Sequence, residues 1–129
     1  MVNYVALALY CMKKKILVID DNSGILFAMQ QALQMKDYDV HTTESFTGAA
    51  AIEKCAPDLI YLDVSLLGQD GREVSRELKR GKGTKDIPII MLTAHPNADG
   101  LAEEAGADSY LPKPFDLTDL WEKTAEYIS

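Results

Sequence analysis

Cysteine is scarce in this chain, and the two present, Cys11 and Cys55, have neither CxxC spacing nor a neighbouring histidine pair. That excludes a thiolate metal site and a disulfide framework. Both read as reduced thiols of a cytoplasmic protein, with Cys55 a small apolar residue at the end of a helix. Positive charge is also short. Thirteen Lys and Arg face twenty Asp and Glu, for a net charge of −7. Such a balance counts against direct nucleic-acid binding, which draws its affinity from clustered cations. The basic runs at 13–15 and 79–85 are short and read as solvated edges. No apolar run is long enough to cross a membrane: Val5-Ala-Leu-Ala-Leu9 is too short and lacks a cationic flank, so it is at most a weak secretory signal. Since Met12 is followed at once by three lysines and an apolar run, residues 1–12 are expected to be a poorly ordered extension, or Met12 the natural start. Residues 13–129 then form one domain, with no second, fused domain in this chain of 129 residues.

From residue 15 onward, short apolar runs alternate with segments of helical period. The runs at 16–19, 59–62 and 87–92 are continuous and rich in Ile, Leu and Val, as strands buried on both faces require. The segments at 39–42 and 109–111 are shorter or more polar and suit sheet edges. Helices are expected near 23–35, 46–54, 71–80, 97–105 and 117–128. In the first, Leu26, Met29 and Leu33 form an apolar stripe for core packing. Asn22 or Ser23, Ser45 and Asp116 are candidate N-caps, and Gly81 and Gly106 are placed for left-handed helix ends. Five such units favour a doubly wound α/β fold, a five-stranded parallel sheet of order 2-1-3-4-5, with ligands outside the strand C-termini near the reversal of strand order.

Asp20 and Asp21 end the first strand, Asp63 the third and Thr93 the fourth, while Lys113 follows the fifth. Each residue alone has an ordinary structural explanation as a cap, a strand end or a solvated lysine. Their joint placement on one sheet edge is much harder to attribute to packing. Three adjacent carboxylates repel one another unless a cation neutralises them. An all-oxygen set without His or Cys suits a hard ion, Mg²⁺ first. Lys113 supplies a fixed positive charge, and the Thr93 hydroxyl can donate to a phosphoryl oxygen.

Five stretches carry a family resemblance: Ile16-Leu-Val-Ile-Asp-Asp21, Pro57-Asp-Leu-Ile-Tyr-Leu-Asp63, Asp70-Gly71, Pro88-Ile-Ile-Met-Leu-Thr-Ala94 and Ala105-Gly-Ala-Asp-Ser-Tyr-Leu-Pro-Lys-Pro-Phe115. Together they make the chain similar to the response-regulator receiver domains of bacterial two-component systems, over about 14–128. The resemblance implies a flavodoxin-like (βα)5 fold and Asp63 as acceptor of a phosphoryl group from a sensor histidine kinase or phosphotransfer protein. It also implies Mg²⁺ held by Asp21, Asp63 and the Ser65 backbone carbonyl, with Asp20 acting through bound water, and a cis Lys113-Pro114 bond. Such a domain catalyses only its own phosphorylation and dephosphorylation. Phosphorylation is expected to draw Thr93 inward, let Tyr110 turn from an exposed to a buried rotamer, and change the protein partner bound by helix 4, strand 5 and helix 5. The protein is expected to be a monomer or a phosphorylation-dependent dimer, touching neither nucleic acid nor membrane. Its output is then a protein contact or a phosphorelay, unless the chain is part of a larger regulator.

Two departures stand out. Leu66-Leu67 replaces the family's Met-Pro, which predicts a more mobile loop with Gly68 and Asp70-Gly71 still permitting the turn. The stretch from Thr93 to Gly106 is short and contains Pro96 and Gly100, which predicts a short or loose fourth helix. His95 either influences access of water to the phosphoryl group or is a solvated loop residue. Three competing readings fit less well. A phosphohydrolase with an Asp nucleophile needs its DxD on the first strand, and a flavin carrier needs a phosphate-cradling loop where Asp20-Asp21-Asn22 stands. A partner-binding pseudo-receiver is disfavoured by the complete acidic site.

Overall fold

The computed structural model describes residues 3–5 and 13–128. The expectation for the N-terminal extension, with Cys11 and Met12, falls mostly outside these residues. Five parallel strands form the sheet: β1 (Lys15–Ile19), β2 (Asp39–Thr43), β3 (Leu59–Asp63), β4 (Ile89–Thr93) and β5 (Ser109–Pro112). Their spatial order is β2-β1-β3-β4-β5, the order expected. The helices between and after them are α1 (Ser23–Gln34), α2 (Ala49–Cys55), α3 (Gly71–Arg80), α4 (Ala98–Glu104) and α5 (Leu117–Tyr127).

Alternation along each strand divides the apolar material between two faces. Ile16, Val18, Leu59, Tyr61, Ile90 and Leu92 pack with Leu26, Met29 and Leu33 of α1 and Leu120 of α5. Leu17, Ile19, Ile60, Leu62, Ile89 and Met91 pack on the other side with Ile52, Val74, Leu78 and Ala102 from α2, α3 and α4. All residues of β3 and β4 are buried, which is why those segments read as unbroken apolar runs. Each fully buried Leu or Ile side chain contributes about 1.5–3 kcal/mol, so this two-sided core is what holds the strand ends in place.

Several boundaries differ from expectation for local reasons. β4 begins after Pro88, which has no N–H to give the ladder, although its carbonyl accepts from Ile60 N at 2.9 Å. α2 starts at Ala49 rather than 46, and Ser45 does not cap it. Gly48, at φ 119°, turns the chain into the helix, and Phe46 is held outside it by Gln69, whose side chain bonds both the Phe46 N–H and carbonyl. Gly106 adopts the expected left-handed backbone at φ 69°, but Gly81 is extended. Asn22 and Asp116 cap α1 and α5, the latter in a capping box with Asp119. α4 has only seven residues, short as Pro96 and Gly100 suggested. The loop after β3 closes as a two-residue antiparallel ladder of Ser65–Leu66 with Gln69–Asp70, with Gly68 at φ 75° in its turn.

Cys55 is half-buried, and most of the charged residues of the two basic runs are exposed as expected, although Lys15 Nζ donates to the Cys55 carbonyl at 2.8 Å and Lys79 Nζ to Asp108 at 2.7 Å. No described helix is long and apolar enough to cross a membrane.

Candidate functional site: an acidic cleft at the strand ends

The reversal of strand order lies between β1 and β3, and the acidic residues gather there. Register pairs Ile19 with Leu62 and Asp63 with Leu92, so Asp20, Asp63 and Thr93 emerge at the same C-terminal edge. Oxygens of Asp20, Asp21 and Asp63 lie within 4.8 Å of one another. Asp20 is fully buried, Asp63 is 7% exposed and Asp21 is exposed.

Lys113 compensates the buried pair. Its Nζ lies 3.0 Å from Asp20 Oδ2 and 3.4 Å from Asp63 Oδ1. At rest the lysine thus bridges both acids and sits nearer Asp20. The cis Lys113-Pro114 bond is present, and the Lys113 backbone N–H donates to the Thr93 carbonyl at 2.8 Å, tying the loop to β4. Asp20 Oδ1 also accepts from Asn22 N at 2.9 Å, and Asp63 Oδ1 from Ser65 N at 3.4 Å. Burial and the neighbouring Asp20 push the Asp63 carboxyl above the ordinary carboxylate range, with Lys113 opposing them. The set is short of positive charge, and its all-oxygen composition fits a small hard cation such as Mg²⁺.

Thr93 is buried, and its Oγ1 accepts from His95 N at 2.9 Å, leaving the hydroxyl hydrogen free to point elsewhere. His95 Nδ1 in turn accepts from Asn97 N at 3.0 Å. Tyr110 is half-buried against the α2/α3/α4 side of the core, rather than fully exposed. The Asp99 carboxylate on α4 raises its phenol pKa.

Asp63, Ser65, Thr93, Lys113 and His95 line one cleft of about 580 Å³, with Arg72 and Leu101 on its wall. Arg72 carries no signal in the sequence. It follows an Asp-Gly pair at a helix start and carries no motif of its own. Nor did sequence show why Gly71 is needed: a Cβ there would overlap the Asp63 carbonyl and the Val64 backbone. An apolar groove of about 640 Å³ adjoins the site, running between α1 and the turn before α5 and sharing Lys113 with the cleft.

A doubly wound parallel sheet with a buried carboxylate, a bridging lysine and an acidic cluster at its switch point places the chain among the flavodoxin-like α/β domains that carry their site at the strand C-termini. The comparisons make the class specific. Residues 16–125 match the response regulator receiver domain, and the chain belongs to this family of two-component systems. It is 44% identical over 110 residues to the phosphate regulon transcriptional regulatory protein PhoB of Pseudomonas aeruginosa, covering 83% of this chain and 48% of that protein. It is 38% identical over 109 residues to the DNA-binding dual master transcriptional regulator RpaA of Synechocystis, covering 82% and 45%. The chain thus spans about half the length of these curated relatives. The relative's DNA-binding name limits the expectation of no nucleic-acid contact to the charge balance of this chain.

Among solved structures, chemotaxis protein CheY4 of Vibrio cholerae superimposes with a TM-score of 0.81 at 27% identity, covering 90% of this chain and 99% of that one. The receiver domain of sensor histidine kinase PA1611 from Pseudomonas aeruginosa, solved with magnesium coordinated in its active-site cleft, gives a TM-score of 0.76 at 25% identity, covering 90% and 98%.

Proposed function

We propose that residues 13–129 act in the cytoplasm as a phospho-acceptor switch, with 1–12 an extension, and that Asp63 takes a phosphoryl group from a histidine kinase or phosphotransfer protein. The observation that carries this reading is Lys113 bridging Asp20 and Asp63 beside a cluster of three carboxylates. Asp20, Asp21, Asp63 and the Ser65 carbonyl would hold Mg²⁺. The ion would supply charge neutralisation for an incoming phosphate dianion.

A carboxylate oxygen of Asp63 attacks phosphorus, and the bond from phosphorus to the donor's imidazole nitrogen breaks with its electron pair left on the ring, which takes a proton from water. Lys113 stabilises the negative charge on the transferred group, and the Thr93 hydroxyl donates to one of its oxygens. The domain acts on its own acceptor and turns over no external substrate.

The phosphoryl group carries about −1.5 to −2 charge in place of the single charge of the Asp63 carboxylate. Drawing Thr93 and Lys113 toward it biases the β4–α4 loop, where Thr93 accepts from His95 N, and α4 packs on β5. That gives phosphorylation a route to the α4–β5–α5 surface, where a downstream protein would bind. The apolar groove beside Lys113, lined by Ile25, Ala28, Met29 and Leu117, favours a protein donor docking against α1.

The test is intact-mass spectrometry after incubation with acetyl phosphate, with and without Mg²⁺, on wild type and Asp63→Ala. One adduct that requires both Mg²⁺ and Asp63 is expected. No adduct with an active donor overturns the reading and favours a partner-binding pseudo-receiver.

A further inference from the structure

Arg72 has more hydrogen-bond donors than its surroundings satisfy. Asp70 takes its Nε at 3.1 and 3.2 Å and its Nη2 at 2.8 Å, in a two-pronged contact that fixes the guanidinium plane. A guanidinium carries five N–H groups, so both hydrogens of Nη1 and one of Nη2 are left over. The anion nearest Nη1 is Glu104 Oε2 at 3.6 Å, which is an ion pair but too long for a hydrogen bond. The side chain is only 35% exposed.

This rigidly held cation lines the same cleft as Asp63, Thr93 and Lys113. Asp70 anchors it from the N-cap of α3, where its carboxylate accepts from the Arg72 N–H at 2.9 Å, so the guanidinium is preorganised. Glu104 does not depend on Arg72. Its Oε1 and carbonyl accept from Arg76 at 3.1 and 3.2 Å. Glu104 is the last residue of α4, so two arginines of α3 hold the end of that short helix, one closely and one at long range.

We propose that Arg72 is a second phosphoryl-binding cation of the acceptor cleft, beside Lys113 in its lining, and that its engagement weakens the hold of α3 on the C-terminal end of α4. The proposal rests on Asp63 being the acceptor. A phosphate dianion competes with the single charge of Glu104 for the free Nη1 donors. Charge-assisted, two-pronged contacts of arginine with phosphate are among the strong ones. The gain falls on binding of the phosphate and on transmission to α4, since the attacking carboxylate and Lys113 are unchanged.

The experiment measures half-saturating acetyl phosphate in Mg²⁺, by intact mass, for wild type, Arg72→Ala, Arg72→Lys and Glu104→Gln. Amide exchange of residues 98–104 is followed before and after phosphorylation. Arg72→Ala is expected to raise half-saturation about five- to tenfold, the worth of one ordinary hydrogen bond at a side chain that is 35% exposed, with a smaller change in the maximal rate. It should also abolish the phosphorylation-dependent rise in α4 exchange, and Arg72→Lys should recover part of the affinity. Glu104→Gln is expected to act in the opposite sense, lowering half-saturation and raising α4 exchange before any phosphate is added. That variant keeps the proposal testable if Arg72→Ala fails to fold. An adduct forming on wild type at the same half-saturation as on the Arg72 and Glu104 variants overturns the role of Arg72 alone. No adduct on wild type overturns the acceptor reading, and this one with it.

Discussion

Lys113 Nζ stands closer to Asp20, at 3.0 Å, than to Asp63, at 3.4 Å. The lysine is therefore as much a counter-ion for the fully buried Asp20 as a partner for Asp63. Removing it leaves two buried carboxylates facing each other. Lys113→Ala is expected to lose about 2–3 kcal/mol in urea denaturation without divalent ions; a fully buried pair would cost more, but the lysine side chain is 20% exposed. Millimolar Mg²⁺ should restore more stability to this variant than to wild type, because the ion and the lysine offset the same charge. Equal Mg²⁺ effects on both would separate Lys113 from the cation site.

Asp63 should leave a signature in the pH dependence of stability. Its carboxyl is raised in the folded chain by burial and by Asp20, whereas in the unfolded chain it titrates near its ordinary value of about 3.9. Between those two values the folded state holds more protons than the unfolded one, so this group's contribution falls as pH rises through the window. Asp63→Asn is expected to be more stable than wild type at neutral pH in EDTA, with the difference vanishing below about pH 4. Denaturation curves of both proteins from pH 3.5 to 7 check this. A variant that is less stable at neutral pH would contradict the sign.

The sheet was legible because β3 and β4 are buried on both faces and can only be apolar throughout, and because the acids, Thr93 and Lys113 fall at the ends of those runs. The start of α2 was not legible. Ser45 looks like a cap, but the bond from Gln69 to Phe46 that holds 46–48 out of the helix spans 23 residues and has no local trace. Arg72 was missed for a similar reason. Its importance lies in which N–H groups Asp70 and Glu104 leave unused, and that depends on α3 meeting α4. Nor does sequence reveal that Lys113 favours Asp20, since both acids end neighbouring strands.

Gly71 joins fold and site. Its N–H donates to the Val64 carbonyl at 2.8 Å, and its Cα lies against the backbone of Asp63 and Val64, with no room for a methyl group. The obstacle is main chain, which cannot rotate away. Gly71→Ala is expected to cost about 2–3 kcal/mol by overpacking and to displace the Asp63 carbonyl. Acetyl phosphate labelling of the folded fraction should fall with it. A variant of wild-type stability and labelling would show that α3 can slide outward without disturbing Asp63.

Ser75 gives the opposite expectation. It is fully buried in the middle of α3, and its Oγ has no hydrogen-bond partner. An unsatisfied buried hydroxyl carries a desolvation cost of about 1–3 kcal/mol, and serine is a poorer helix former than alanine by up to about 0.7 kcal/mol. Against these, Ser75→Ala loses only the packing of one oxygen atom. The net expectation is a gain of about 0.5–1.5 kcal/mol, read as a rise in Tm of about 2–7 °C for a domain of this size. Because Ser75 is fully buried and does not line the cleft, phosphorylation by acetyl phosphate should be unchanged. A loss of stability would mean that the hydroxyl has a partner in solution. The nearest chemical candidate is the Gly71 carbonyl one turn earlier, a bond that a serine in a helix makes by a small rotation about χ1.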